Sequence, residues 1–395
     1  MNEIMSKTNP DLSKLSPATR LVLASREFSQ HGTVSPPVYH ASTYIFPTLE
    51  NFFAPNKTYS YGRRGTPTSR AFENAVAMLE GGYAAKTAAS GLAACSMALL
   101  AFLKAGDHLL MTDSVYGPVR HLCDTLLKGL GIETTYYDPL LAAGIAALIR
   151  PNTKVVYCES PGSLTLEVQD LPAIAGAAHR HNAIVMIDNT WSAGLYFNAF
   201  AHGADVSIQA ATKYICGHAD IMLGTVTCSE QHWPRFREAF ETLGQFAGPD
   251  DMAMALRGLR TLEVRLRRHM DNALKVAAWL AGHDSVAEVI YPALPGSRGH
   301  DVWKRDFTGA SGLMSIILKP ATRAQVAAMV DGMQLFAIGE SWGGFESLVV
   351  PFKPHRSVSA WPDAGPCLRL HIGLENPEDL IADLAGGFAR LGAAA

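Results

Sequence analysis

The sequence is poor in the features that announce the commonest function classes. Only six of its 395 residues are cysteine, at positions 95, 123, 158, 216, 228 and 367, and no two of them stand as C-x-x-C. That spacing excludes zinc ribbons and thioredoxin-like redox pairs, and scattered cysteines in so long a chain read as small buried hydrophobes. Charge is sparse: 17% of residues are charged and the formal net charge is −3. No basic excess draws the chain to nucleic acid or to an anionic membrane. There is no G-x-G-x-x-G after a strand, no G-x-x-x-x-G-K-[ST] and no H-E-x-x-H. Dinucleotide enzymes, P-loop NTPases and zincin-type peptidases are therefore disfavoured. The 14 histidines do not gather at metal-ligand spacing, so no metal is expected. One stretch, Thr87 to Leu103, carries no charge. It is shorter than the roughly 20 residues of a membrane span and opens on small polar residues. It reads as a turn followed by a fully buried helix. Met1 to Leu15 is polar and lacks the apolar run of a signal peptide, which makes a reducing cytoplasm the expectation.

What is present is ample apolar material, 48% of residues. Chains beyond about 250–300 residues split their core, so one large domain and a smaller one are expected. Residues 1–60 read as an irregular arm, because prolines at 36, 37, 47 and 55 break any long helix. Thr66-Pro67 can start a helix that runs to Glu80 and stops at Gly81-Gly82. Short apolar strands then alternate with helices: His108–Met111, Val155–Cys158, a helix from Ile174 to His181, Ile184–Ile187 and Val206–Gln209. Apolar runs buried on both faces with helices between them imply an α/β fold, a mostly parallel sheet flanked by helices. Met254 to His269 reads as a long helix that resumes at Asn272–Leu280 after a polar break. The boundary is placed near Gly258, giving a larger domain over 61–258 and a smaller C-terminal α+β domain over 259–395. Pro377 to Leu391 reads as a final amphipathic helix.

Polar residues follow these strands. Tyr116 comes after Thr112-Asp113, Asp188 after Ile187, and Lys213 after Ala211-Thr212. Ligands of open α/β sheets bind at the carboxyl ends of strands, so the three should face one crevice. A lysine beyond an apolar strand is either a snorkelling surface group or a buried amine with a lowered pKa, suited to Schiff-base chemistry. Pyridoxal-phosphate (PLP) chemistry needs such a lysine and an acid at the pyridine nitrogen. Asp188 suits that acid, although an Asx turn would explain it equally. Ser90-Gly91-Leu92 opens a helix whose free N–H groups can bind a phosphate, or Ser90 is simply a cap. Tyr116 could stack on a cofactor ring or only pack. Arg369, on the alternating run Cys367–Ile372, points with His371 to one face. It could grip a carboxylate or form an internal ion pair.

At these residues the sequence resembles the PLP-dependent enzymes of cysteine and methionine metabolism, from about Thr19 to Leu391. The landmarks are Tyr61-Gly62-Arg63-Arg64-Gly65-Thr66-Pro67-Thr68, Ser90-Gly91, Asp188-Asn189-Thr190-Trp191, Ala211-Thr212-Lys213-Tyr214, Gly217-His218-Ala219-Asp220, the run Glu340 to Leu348, and Arg369 to Glu375. The resemblance implies PLP fold type I, like aspartate aminotransferase. It also implies a set of roles. Lys213 carries the cofactor as a Schiff base and shuttles protons. Asp188 pairs with the pyridine nitrogen. Tyr116 stacks on the ring and assists proton transfer. Gly91, Leu92 and Thr212 hold the phosphate. Tyr61 and Arg63 reach the phosphate of a neighbouring subunit in a homo-oligomer, a tetramer built from dimers. Ser341, Trp342 and Arg369 bind the α-carboxylate end of a small amino-acid thioether.

Within the family, the runs Ser207 to Lys213, Pro292 to Ser297, Trp303 to Gly309 and Ser341 to Gly344 resemble the bacterial cystathionine β-lyase branch. Ala210 stands where γ-acting relatives carry a phosphate-binding serine. Glu340 departs from the tyrosine found there in some β-lyases. The branch implies β-elimination of cystathionine to homocysteine, pyruvate and ammonia, with other cysteine S-conjugates as further substrates. A γ-lyase or γ-synthase of the same family is the nearer alternative. A PLP-fold protein that binds without catalysis is the alternative from another class.

Overall fold

The computed structural model describes residues 11–55, 57–361 and 364–393. Residues 1–10 of the expected arm, and with them most of the Met1–Leu15 stretch, lie outside the described residues.

The larger sheet has seven strands. They are β1 (Ala84–Ala88), β2 (His108–Thr112), β3 (Glu133–Tyr137), β4 (Thr153–Glu159), β5 (Ile184–Asp188), β6 (Val206–Gln209) and β7 (Gly224–Cys228), in the spatial order β1-β7-β6-β5-β4-β2-β3. The pairs from β3 to β6 are parallel, and β7 is antiparallel to both β6 and β1. The alternation of side chains along a strand divides this sheet into two cores. Leu109, Met111, Val155, Tyr157 and Met186 face one side, under the helix Gly91–Phe102. Leu110, Val156, Cys158, Val185 and Ile187 face the other. That second core runs on without interruption into the smaller sheet, through Met314, Ile316, Leu368 and Leu370.

The smaller sheet holds β8 (Val286–Ile290), β9 (Leu313–Leu318), β10 (Ala337–Ile338), β11 (Leu348–Phe352) and β12 (Cys367–His371), ordered β10-β11-β12-β9-β8. Its pairs are antiparallel except β10 with β11. The chain is thus an α/β protein with a mostly parallel sheet flanked by helices and a second, mixed sheet near the C-terminus.

The helix expected from Thr66-Pro67 spans Pro67–Glu80, with Thr66 as the cap and Gly81 in the left-handed conformation at φ 75°. The uncharged stretch from Thr87 does not begin with a turn alone: its first two residues finish β1, whose small side chains hid it. The helix that follows is mostly, not fully, buried, since Leu92 is 38% exposed. Among the described residues no helix is long and apolar enough to cross a membrane. The helix expected at Ile174–His181 is Leu171–His179, started earlier by the Asp170 cap. The last helix is Pro377–Ala393. All six cysteines are buried, and none of them forms a disulfide.

The long Arg-rich helix breaks elsewhere than expected. Helices Pro249–Arg260 and Leu262–Ala281 meet at Thr261, while Asn272 lies inside the second and donates to the carbonyls of Gly373 and Glu375. Gly258, the expected boundary, falls within the first helix, packed on the carbonyls of Ile215 and Cys216. The break is held by Arg265. This buried guanidinium reaches Thr261 Oγ1 at 3.1 Å, the Gly258 carbonyl at 2.8 Å and the Tyr214 carbonyl at 2.7 Å. Arg265→Met would take the buried Tyr214 carbonyl's charged partner away and remove one charged hydrogen bond each from Thr261 and Gly258, at about 1–3 kcal/mol each. The expected outcome is a urea midpoint lowered by the equivalent of roughly 3 kcal/mol or more, measured with cofactor content held equal.

Candidate active site

A cavity of about 370 Å³ opens at the carboxyl ends of the parallel strands, lined in part by Gly91, Leu92, Tyr116, Asp188, Thr212, Lys213, Trp342 and Arg369. These positions come from six separate stretches of chain, Trp342 from the loop between β10 and β11. The turn after β6 brings Lys213 in, β5 ends on Asp188, β2 leads to Tyr116, the helix after β1 supplies Gly91 and Leu92, and β12 supplies Arg369.

Lys213 Nζ donates to Ser341 Oγ at 2.7 Å and lies 5.4 Å from the centre of the Trp342 ring. Burial lowers its pKa first, and the Arg369 guanidinium lowers it further. Asp188 opposes them, and the amine settles at about 8. Its backbone is clamped from the other side. Gly343 is left-handed at φ 84°, and a Cβ there would come within 2.9 Å of the Lys213 carbonyl carbon. A side chain at 343 would push Lys213 out of place.

Asp188 makes the Asx turn and keeps its second carboxyl oxygen for the cavity. Its Oδ1 accepts from the Thr190 amide at 3.0 Å, the Asx turn, and from Thr190 Oγ1 at 2.5 Å. Its Oδ2 faces inward, 4.0 Å from Cys95 Sγ. Burial pushes its carboxyl up, against the pull of the Thr190 bonds and Lys213. Thr190 Oγ1 also accepts from the Ala210 amide at 2.9 Å, so one threonine ties the acid to the turn leading to the lysine.

The helix Gly91–Phe102 is capped by Ser90, whose Oγ accepts from Ala93 N at 3.1 Å. Its first amides have no intrahelical partners and point at the cavity end. Gly91 must be glycine, because a Cβ there would stand 2.6 Å from the Ala210 methyl. Thr212 lines the cavity, but its hydroxyl donates to the Leu223 carbonyl at 3.1 Å and accepts from the Leu223 amide at 2.9 Å. Arg369 donates to the Ser341 carbonyl at 3.2 Å, and burial lowers its pKa while Glu340 and Tyr116 raise it.

Two expected residues lie elsewhere. Tyr61 is 47% exposed and Arg63 donates to the Glu241 carbonyl at 2.8 Å; neither lines the cavity of its own chain. Other lining residues escaped the sequence reading. Glu159 ends β4 opposite Asp188 and accepts the Tyr116 amide at 2.7 Å. Its signal was an acid directly after the apolar run Val155–Cys158. The stretch Gly339-Glu340-Ser341-Trp342-Gly343 also spells G-x-S-x-G. It follows the two-residue strand β10 and leads into no helix, so it is not the strand–turn–helix elbow of a serine hydrolase. Among the described residues no cluster of metal-ligating side chains occurs.

A buried amine of lowered pKa, an inward carboxyl oxygen and a helix N-terminus ringing one cavity suit an aldehyde, a ring nitrogen and a phosphate. The residues present therefore fit PLP. The chain matches the family described as Cys/Met metabolism PLP-dependent enzyme over residues 18–389. It is 46% identical to the cystathionine beta-lyase of Salmonella typhimurium over 94% of this chain and 98% of that one. The cystathionine beta-lyase MetC of Escherichia coli matches at the same identity and coverage. A solved cystathionine gamma synthase from Xanthomonas oryzae in complex with cystathionine superposes with a TM-score of 0.89 at 32% identity, over 96% of this chain and all of that one. Motif order, geometry and these likenesses agree: the chain belongs to the PLP-dependent enzymes of cysteine and methionine metabolism.

Proposed function

We propose that this enzyme is a carbon–sulfur β-lyase that cleaves L-cystathionine with water to homocysteine, pyruvate and ammonia. The observation that carries the reading is the Lys213 amine, desolvated and set between Asp188 and the Arg369 guanidinium. The choice of β- over γ-chemistry is supported by relatives called cystathionine beta-lyase at 46% identity, against 32% for the γ-synthase. It is also supported by Ala210, which offers no hydroxyl where γ-acting relatives carry a phosphate-binding serine.

When bound, PLP supplies an electron sink for charge developing at the substrate α-carbon. Lys213 would hold it covalently, Asp188 Oδ2 would hold its ring nitrogen protonated, and the amides of Gly91 and Leu92 would hold its phosphate. Thr212 would join them only by releasing Leu223. The chain's own groups do the rest. Arg369 grips the α-carboxylate with a charged pair, its guanidinium fixed by the Ser341 carbonyl, and Trp342 packs beside it. Lys213 Nζ, its pKa lowered to about 8, takes the α-proton once it is in its neutral form; a positioned base of this kind contributes about 10²–10⁴-fold. Burial, with Cys95, Glu159 and Glu340 nearby, raises the Tyr116 phenol, which keeps its proton to give to the departing sulfur.

The arm supports a shared site. Tyr61 and Arg63 lie outside their own cavity, and Ile45, Leu49 and Phe53 on the same arm are 94%, 75% and 72% exposed, apolar surface suited to a second copy. The enzyme is read as a homo-oligomer, a tetramer built from dimers, working in the cytoplasm.

Incubation with L-cystathionine should release pyruvate; 2-oxobutyrate instead would make it a γ-lyase. Lys213→Ala should abolish pyruvate release. Arg369→Ala should raise KM by roughly 10–150-fold, the equivalent of a charged hydrogen bond of about 1.5–3 kcal/mol. An unchanged KM would remove Arg369 from the site. Mixing inactive Arg63→Ala and Lys213→Ala chains should restore activity, because hybrids recreate some intact shared sites; no recovery would mean that each cavity is self-contained. Lys213 also makes stability depend on pH. Its folded pKa lies below the unfolded one of about 10.4, so it binds fewer protons when folded. Below pH 8 the cofactor-free fold carries the full cost, on the order of 3 kcal/mol, and the cost is relieved as pH rises from 8 to 10.5. Lys213→Met should therefore stabilise the cofactor-free chain at pH 7 and lose that rise, read as the difference in urea midpoints.

A further inference from the structure

Residues 353–358, a strap that follows β11, leave their own sheet and grip the larger one at two buried points. At the first, the amides of Ser357 and Val358 donate to the Asp113 carboxylate at 3.0 and 3.1 Å. Arg120 completes that cluster, reaching Asp113 Oδ1 at 2.6 Å and Ser357 Oγ at 2.8 Å. Asp113 follows β2 and stands three residues before Tyr116. At the second point, Arg356 donates to Thr165 Oγ1 at 2.6 Å and pairs with Glu167, both of their side chains 6% exposed.

Thr165 and Glu167 belong to the segment that supplies Pro161, Gly162, Ser163, Leu164 and Leu166 to the cavity wall. Leu164 and Leu166 are left-handed, at φ 65° and 53°. Leucine adopts that conformation at a cost and keeps it only where the surroundings hold it. Gln169 anchors the far end of this segment on Glu159, Thr112 and Tyr137; along 162–167 the bonds to neighbouring elements include the Ser163 amide on the Ser114 carbonyl at 2.9 Å, Ser315 Oγ on the Leu164 carbonyl at 2.6 Å, and the Arg356 contacts.

We infer that Arg356, with Asp113 as its companion, is a positioning residue. Through the strap it clamps the left-handed wall segment and the turn bearing Tyr116, and so fixes the shape of the cavity for its amino-acid substrate. Arg356 touches no reacting atom; it acts on substrate fit through Leu164 and Leu166, while the proton chemistry stays with Lys213. The burial of both ion pairs fits this role, since removing one partner leaves an uncompensated charge and loosens whatever the pair held. Asp113 keeps its charge: burial would raise its carboxyl, but the Val358 and Ser357 amides and Arg120 together bring it below the usual range. The kinetic side of this inference rests on the cavity being the substrate site of a β-lyase.

The test uses the holoenzyme in wild-type, Arg356→Ala, Arg356→Lys and Glu167→Gln forms, with two readouts. The first is pyruvate release from L-cystathionine. Arg356→Ala should raise KM about tenfold or more with kcat within about threefold, and Arg356→Lys should recover part of the loss. The second is backbone amide hydrogen exchange, which needs no turnover. Residues 160–169 should exchange faster in Arg356→Ala and Glu167→Gln, while β4 and β5 keep their protection. Should Arg356→Ala fail to fold, Glu167→Gln, which removes a charge and little volume, gives the same two readings. If exchange over 160–169 and KM both stay at wild-type values in the variants that fold, the inference is overturned. A wild-type enzyme that releases no pyruvate from cystathionine would sink the proposed function instead, and the exchange data would still decide the strap.

Discussion

The structure depends on keeping one amine out of water. Lys213 is desolvated because the turn after β6 carries it inward, Gly343 closes on its backbone, and Trp342 lies beside its head. Water would return the amine to its ordinary pKa and make it a poor base at neutral pH. Each wall of the cavity therefore serves to exclude solvent as well as to present a functional group. The burial has an electrostatic cost that Arg369 increases and Asp188 offsets. A carboxylate bound at Arg369 would change that balance by neutralising the neighbouring cation that depresses the lysine.

Two sheets are needed to build such a pocket. The carboxyl ends of parallel strands provide Asp188, Tyr116 and the turn to Lys213, but one sheet edge cannot enclose them. The second sheet closes the crevice with Arg369 on β12 and the 341–344 loop, and the two are joined through a continuous apolar core rather than a hinge of polar contacts. His371 supports this closure from below. Its Nε2 lies 3.1 Å from both the Gly343 amide and the Gly344 carbonyl, and burial keeps it neutral, so it braces the loop without adding a third cation near Lys213 and Arg369.

Much of this was legible in the sequence because its cause is local. Strands buried on both faces read as apolar runs, and β2, β4, β5 and β6 stood where those runs did. Lys213, Asp188 and Tyr116 each follow such a run, so the topology alone brings them to one rim. β1, β3 and β7 were missed because AAKTA, ETTYY and GTVTC carry small or polar side chains, and only pairing within the sheet makes them strands. The helix break at Thr261 was misplaced because it depends on Arg265 bonding to carbonyls near 214 and 258, which no local pattern records. The strap at 356–358 was invisible for the same reason: its partners Asp113, Thr165 and Glu167 are some 190 to 245 positions away.

Glu159 shows how register, rather than composition, balances the charge in the cavity. The pairing of β4 with β5 sets Glu159 directly opposite Asp188, so two carboxyl groups share one buried rim. Both cannot ionise cheaply there. Burial raises both, and the nearby Asp188 raises Glu159 further, while Thr190 and Lys213 favour charge on Asp188. The negative charge thus collects on the acid closer to the lysine, and Glu159 stays near neutral while fixing the Tyr116 backbone. A one-residue slip between β4 and β5 would turn one of these side chains away from the cavity and remove the repulsion that keeps Glu159 uncharged. Placing the charge on Asp188 alone gives Lys213 a counter-charge on one side, leaves Arg369 free on the other, and so leaves an incoming carboxylate one cation to meet.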